Sequence, residues 1–349
     1  MTHAPPASDA ASTGNDTEVG NAEGGLEQDP VSKVTLITGA TGFLGRHLVA
    51  ALAGSLDGLE PSRTTGNREV HVLSNHPEPS FEGVAPSAVT PHRVDLHDGP
   101  AVTMLMQELQ PDELFHLAWF NGESAGRYAD PANHDWVVIA EHLVDAFAAA
   151  GGRRAVIAGS CIEYGPEGGV LSEDGPVDPD TVYGRCKLDA GLRALAVADD
   201  VPGLSVAVAR IFFVLGRFEE PNRLVPHIIR QLLNEDPAEL SAGTQRRDYM
   251  HAWDVALGLI AIADSNLRGY VNLGLGEPVT VKTLSQMIGD AVGRPDLLWF
   301  GARPGGADTA EEITADITKI TEATNWRPTL DLAAASADVV KWWTKQLGH

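Results

Sequence analysis

The run VTLITGATGFLG, Val34 to Gly45, constrains the fold more than any other part of this 349-residue chain. A short apolar, β-branched stretch (34–38) ends on glycine, and a helical pattern opens at Gly42 and continues to about Ala53. Between them glycines fall at 39, 42 and 45. A strand that passes to a helix through residues lacking Cβ makes a tight turn whose backbone N–H groups can approach a phosphate closely. Alone, such spacing fits any glycine-rich turn. Between a first strand and a first helix it indicates a dinucleotide-binding unit.

The alternation then repeats. Strands are expected at EVHVLS (69–74), HRVDL (92–96), ELFHLA (113–118), RAVIAGS (154–160) and SVAVARIF (205–212), with helices near 98–109, 133–150 and 181–198. Over 133–150, Trp136, Ile139, Ala140, Leu143, Val144 and Phe147 recur at helical spacing, and Gly151 stands at the expected end. Strands alternating with helices imply an α/β, Rossmann-type doubly wound parallel sheet, covered on both faces. After residue 212 the rhythm loosens, with helices near 222–234, 253–265 and 280–292. We therefore expect a dinucleotide-binding domain over 33–212 and a smaller mixed α/β substrate-binding lobe over 213–349, the chain returning to the sheet once or twice.

Residues 1–32 hold six acids, no Lys or Arg and no apolar period, and read as a disordered acidic tail. The formal charge of −23 repels phosphate backbones and anionic lipid, so nucleic-acid and membrane partners are not expected. The chain lacks a basic, apolar signal at its start and any run of ~18 apolar residues, so a cytoplasmic location is expected. Cys161 and Cys186, the only two cysteines, are too few for a disulfide framework or a zinc site, and no metal is expected.

The end of the second strand reads Ser74, Asn75, His76, where dinucleotide folds often carry an acid for the ribose hydroxyls. Without that carboxylate nothing repels a 2′-phosphate, which favours NADP over NAD; Arg46 is a possible helper or a solvated first-turn residue. Asp95 faces either the adenine amino group or, as an N-cap, the helix beginning near Asp98.

Chemistry concentrates in two further segments. Ser160 ends the fifth strand, where open parallel sheets place their ligand crevice. In TVYGRCKLDA (181–190), Tyr183 and Lys187 stand one helical turn apart. A phenol of ordinary pKa about 10 exchanges protons poorly at neutral pH. A nearby ammonium, and the positive ring of an oxidised nicotinamide, would favour the phenolate. Tyr183 then serves as acid or base toward a carbonyl or hydroxyl, Lys187 holds the nicotinamide ribose, and Ser160 polarises the reacting oxygen.

TGATGFLG, VDLHD, FHLAW, Ser160 to Tyr164, YGRCK, RRDYMHAWDVA (246–256) and TNWRPTL (324–330) occur in the order found in extended short-chain dehydrogenases/reductases, and over Val34–Trp343 the chain resembles their NAD-dependent epimerase/dehydratase group. The resemblance implies Ser160, Tyr183 and Lys187 as the catalytic set. It implies Gly39, Thr41, Gly42, Phe43, Leu44, Gly45, Ser74, Asn75, Asp95, Leu96, Leu117 and Ala118 as dinucleotide contacts, with Tyr183 and Lys187. It further implies Trp119 and Glu163 on the sugar side, or as packing residues. Arg223, Arg247 and Arg303 would meet a nucleoside diphosphate, or pair with surface acids.

Two departures narrow the chemistry. Cys161 and Ile162 replace the Asp-Glu pair of relatives that eliminate water, and Phe213 replaces an Asn that touches the diphosphate in 4-epimerases. HLAWFNGE (116–123) and GSCIEYG are similar to sugar-nucleotide 4-ketoreductases. The resemblance therefore implies NAD(P)-dependent reduction of a 4-keto deoxysugar on a nucleoside diphosphate. The alternatives are a nucleotide-sugar 4-epimerase with tightly bound NAD and a non-catalytic dinucleotide sensor. By the same analogy a homodimer is expected through the helices near 133–150 and 181–198.

Overall fold

The computed structural model describes residues 32–59, 67–76, 79–120, 122, 126–305 and 310–349. The acidic tail expected over 1–32 lies outside them except for Ser32.

The first half runs β1 (Lys33–Thr38), α1 (Phe43–Ala53), β2 (Arg68–Ser74), β3 (Val89–Arg93), α2 (Gly99–Leu109), β4 (Glu113–His116), α3 (Asn133–Ala149), β5 (Arg154–Ser160), β6 (Gly169–Leu171), α4 (Val182–Asp200) and β7 (Ser205–Ile211). The second half runs β8 (Phe213–Leu215), α5 (Leu224–Leu233), β9 (Ala238–Leu240), β10 (Arg246–Arg247), β11 (Tyr249–His251), α6 (Ala252–Ala263), β12 (Gly269–Leu273), β13 (Val279–Thr280), α7 (Val281–Val292), β14 (Leu298–Phe300), β15 (Glu312–Ala315), α8 (Thr318–Ala323) and α9 (Leu332–Leu347).

Seven strands form one parallel sheet in the order β12-β7-β5-β4-β1-β2-β3. Neighbouring residues of its strands face opposite ways, and both faces are covered. Ile37, Phe115 and Val156 pack with Leu48, Val255 and Leu259 of α1 and α6. Leu36, Leu114 and Ala155 pack with Met106, Leu143 and Ala194 of α2, α3 and α4. This is why these strands read as unbroken apolar runs. The strand order reverses between β1 and β4, so a crevice opens where their carboxyl ends diverge.

Beyond β8, the helices α5, α7 and α9 enclose a separate core around Ile228, Leu232, Leu284, Ile288, Val339 and Trp343. The chain also returns to the large sheet as β12, paired with β7. One expectation is corrected: the third strand spans 89–93 and not 92–96. The strand runs through Pro91 because β3 is the sheet's edge, where a residue without N–H breaks no ladder. Val94 and Asp95 consequently run off the sheet toward the crevice.

Two buried carboxylates of the RRDYMHAWDVA segment tie its surroundings together. Asp248 accepts hydrogen bonds from the backbone N–H groups of Leu275 (2.7 Å), Gly276 (2.9 Å) and Ala315 (3.0 Å). Asp254 accepts from Thr329 N–H (2.9 Å), the Thr329 hydroxyl (2.7 Å) and Leu330 N–H (3.1 Å). Each stands in for a partner that the irregular backbone lacks. Replacing Asp254→Ala would strand two backbone donors and a hydroxyl in a dry interior. We expect a loss of about 3 kcal/mol or more, seen as a lower urea-denaturation midpoint at unchanged slope.

Candidate active site

At the strand-order reversal lies a cleft of about 690 Å³, within the size range of small-molecule sites, roughly 300–1,000 Å³. Its floor is the glycine turn. Gly39 adopts φ +73, and a Cβ there would lie 2.5 Å from Ala118 N, at the end of β4. A Cβ on Gly45 would lie 2.1 Å from the Gly39 carbonyl oxygen. The α1 helix begins at Gly42 with no side-chain cap and no acid in its first turn. Its N–H groups and the positive end of its dipole therefore face the cleft, a cradle that suits a pyrophosphate.

The twelve turn, strand-end and loop positions expected to meet a dinucleotide all line this cleft: Gly39, Thr41, Gly42, Phe43, Leu44, Gly45, Ser74, Asn75, Asp95, Leu96, Leu117 and Ala118. Asp98, and not Asp95, caps α2, accepting from Ala101 N–H at 3.1 Å. Asp95 instead accepts from the N–H and ring Nδ1 of His97, both at 3.0 Å, which lowers its pKa. The Ser74 hydroxyl accepts from His76 N–H at 3.0 Å. Arg46 donates to the Thr41 and Ser80 carbonyls, at 2.9 and 3.2 Å.

At the cleft's other end Tyr183 is among the lining residues, while Ser160 and Lys187 are not. Thr181 caps α4 by accepting from Gly184 N–H at 3.0 Å, which sets Tyr183 in the first turn and Lys187 one turn on. The ring of Tyr183 lines the cleft, edge-on to Trp119 (6.4 Å between centroids) and Tyr128 (5.3 Å). Ser160 closes β5 near enough to the phenol to lower its pKa, and its hydroxyl accepts from Ile162 N–H at 3.3 Å. Lys187, 6 % exposed, donates to the Ala158 carbonyl at 2.8 Å and lies 3.9 Å from the centre of the Trp119 ring.

The electrostatics correct one expectation. Burial, reinforced by Tyr128, pushes the Tyr183 phenol well above its ordinary value, against the opposing effects of Ser160 and the Arg127 charge. Burial also pushes Lys187 down to about 7, with the Glu163 carboxylate opposing. Lys187 is not among the groups that shift this phenol, so the protein's own ammonium does not make it acidic. Desolvation dominates both groups, and the Lys187 ammonium is turned to a carbonyl and an indole face.

Of the residues expected to meet substrate, Trp119 and Arg223 line the cleft. Glu163, Arg247 and Arg303 do not. Glu163 is fully buried: one oxygen accepts from Ser160 N–H at 2.8 Å, and the other from Arg210 at 2.9 Å. It is a brace beneath the site, because the 3₁₀ turn Cys161–Tyr164 folds its side chain back under Ser160. Arg247, 2 % exposed, donates to the Arg246 and Ala310 carbonyls. Arg303 is exposed beside Glu239, at 3.5 Å.

Among the lining side chains not read as site residues in the sequence are His97, Arg127, Phe218 and Glu220. Phe218 is held at φ +67, unusual for a residue with a Cβ. Arg127 lies in the loop before α3, where no periodicity exists to place it. Its one signal was being a basic residue in an aromatic-rich stretch.

With this geometry in view, similarity to known proteins identifies the class. Residues 35–274 match the NAD dependent epimerase/dehydratase family, and the chain belongs to that family of dinucleotide-dependent enzymes. It is 26% identical to UDP-glucose 4-epimerase 2 of Arabidopsis thaliana over 345 residues, covering 89% of this chain and 95% of that protein. The solved structure of MoeE5 in complex with UDP-glucose and NAD matches with TM-score 0.74 and 29% identity, covering 90% of this chain and 99% of that one. A UDP-N-acetylglucosamine 4-epimerase from Methanobrevibacter ruminantium M1 shares the fold with TM-score 0.78 at 23% identity, covering 90% and 99%.

If Glu163 is what sustains the charge on Lys187, Glu163→Gln moves that ammonium's pKa further down from about 7. NMR titration of labelled lysine, assigned with Lys187→Met, reads it; an unmoved or raised value refutes the coupling.

Proposed function

We propose that the protein is a nucleotide-sugar 4-epimerase, taking a UDP-sugar and working with a retained NAD. One observation carries the proposal: a phenol, with a hydroxyl acting on it and an ammonium against the neighbouring Trp119 ring, stands at one end of a cleft whose other end is a glycine turn built for a diphosphate. The similar proteins named above are 4-epimerases or carry UDP-glucose and NAD in their descriptions. That support favours epimerisation over the 4-keto reduction expected from the HLAW and EYG segments, and NAD over the NADP suggested by Ser74.

NAD, when bound, supplies the hydride acceptor and donor at the sugar's C4. The chain's own residues manage the proton. Tyr183 removes the proton of the C4 hydroxyl and returns it, and Ser160 holds the reacting oxygen against the phenol. Since burial keeps the free phenol protonated, its service as a base requires positive charge in the filled site; Arg127 is the cation already facing it. Lys187 holds the nicotinamide ribose, and Trp119 walls the sugar side. Arg223 meets the diphosphate. Cys161 and Ile162 offer no acid–base pair for eliminating water, which argues against dehydration.

Exposed Val138 on α3 and Leu192 on α4, 61 and 52 % accessible, leave an apolar surface on two packed helices, and we propose that a second copy covers it. Light scattering at micromolar concentration should return twice the chain mass, and a monomer mass ends that idea. Tyr183→Phe should lower UDP-glucose turnover by about 10²–10⁴-fold while NAD stays bound through gel filtration. A freely exchanging dinucleotide, with stoichiometric loss of 340 nm absorbance on a 4-keto sugar, would select the reductase instead.

A further inference from the structure

The segment RFEEPNR (217–223), between β8 and α5, closes one side of the cleft. Arg217 is locked to Asp338 of α9 and to the Asp57 carbonyl, and Phe218 lies against Arg46, 5.4 Å from the guanidinium carbon. Glu219 turns inward and is 4 % exposed. Its Oε1 accepts from Arg223 Nε at 3.0 Å, while its Oε2, also buried, has no hydrogen-bond partner among the described residues. Arg223 lines the cleft with a side chain 35 % exposed. The cation offered to an anionic ligand is therefore neutralised in advance, by a carboxylate that is itself half satisfied. A buried carboxylate with one bare oxygen is held in its charged form mainly by its ion pair.

We propose that Glu219 is a proton-linked positioning residue for Arg223. When a ligand diphosphate draws the guanidinium away, the carboxylate left behind takes up one proton from solvent. This rests on reading the cleft as a nucleoside-diphosphate site and adds its regulation. The charged and titratable groups facing Glu219 are Arg223 at the N-cap of α5, Glu220 beside it and Arg127 from the loop before α3; Tyr128 faces Arg223. Burial, reinforced by Glu220, pushes the carboxyl up to about 7, against Arg223 and Arg127. The phosphate charges push it higher still. Binding is then tightest below pH 7 and weakens as pH rises through it, because above that point a proton must be acquired along with the ligand.

The test is calorimetric titration of the full chain, as purified, with UDP-glucose from pH 6 to pH 8. Its diphosphate diester has no proton to exchange in that range. The proposal expects Kd to rise about tenfold across the range and about half a proton to be taken up at pH 7, measured from buffers of different ionisation heat. Glu219→Gln should bind with the wild-type pH 6 affinity at every pH, and Arg223→Met should bind weakly at every pH. A merely structural role for Glu219 would not make one variant flat and tight and the other flat and weak. Lys187 also titrates near 7 but is unchanged in Glu219→Gln, so a slope as steep in that variant as in the wild type overturns the proposal. A flat wild-type profile does the same while sparing the diphosphate reading. Failure of UDP-glucose to bind at any pH removes that reading, and this inference with it.

Discussion

A Cβ at position 45 would lie 2.1 Å from the Gly39 carbonyl oxygen, so α1 starts flush on the end of β1 only because no atom is there. The same economy at Gly39 lets the turn touch the Leu117–Ala118 backbone at the end of β4. Those two contacts close the floor of the cleft and aim the uncapped start of α1 into it. Because β1 and β4 send their chains in opposite directions along the sheet, the space above them stays open. Wall residues as distant in sequence as Asp95, Tyr183 and Arg223 are each delivered by an element that leaves the sheet at this end.

Beneath the reacting end, the chain buries charge that a stability-only design would avoid. Glu163 and Arg210 pair at 2.9 Å with almost no exposure. The guanidinium is stacked between the Tyr164 and Tyr270 rings, at 4.5 and 3.8 Å. Tyr164 in turn donates to Asn272 of β12 at 2.7 Å. One strand from the far part of the chain thus stiffens the base on which Ser160 stands. The pair also leaves a carboxylate near Lys187, whose ammonium would otherwise have only a carbonyl and an indole for company. Burial here sets protonation as much as it sets position.

Much of this was legible in the residues because periodicity and glycine spacing are local signals. Most strand and helix runs through β7, though not β6 or the bounds of β3, and the glycine turn follow from patterns a few residues long. Glu163 was misread for a different reason. An acid three residues after Ser160 looks available to a ligand, and only the 3₁₀ turn that folds it under the strand reveals it as a brace. Arg247 was misplaced similarly, since its partners are carbonyls, one of them 63 residues away in sequence. Arg127 and Glu219 lie in loops, where placement depends on long-range packing that no period records. The phenol's protonation was misjudged because adjacency along a helix says which groups are near, but not how much water surrounds them.

The residues after Ser160 bear on which chemistry such a base supports. Cys161 is buried among Tyr164, Phe212 and Ile313, with Ile162 packed against the same group. At those positions the chain has apolar contacts where elimination needs an acid and a base. What the described residues offer at this end is the Tyr183 phenol beside that of Tyr128, the Ser160 hydroxyl and the Lys187 ammonium. That inventory moves a single proton on and off one oxygen. A reaction that removes hydride and proton from one carbon centre and restores them asks for no more than this. Epimerisation differs from reduction in that the dinucleotide stays between turnovers and hydride returns to the opposite face of the sugar, both of which are set by the walls around the ligands.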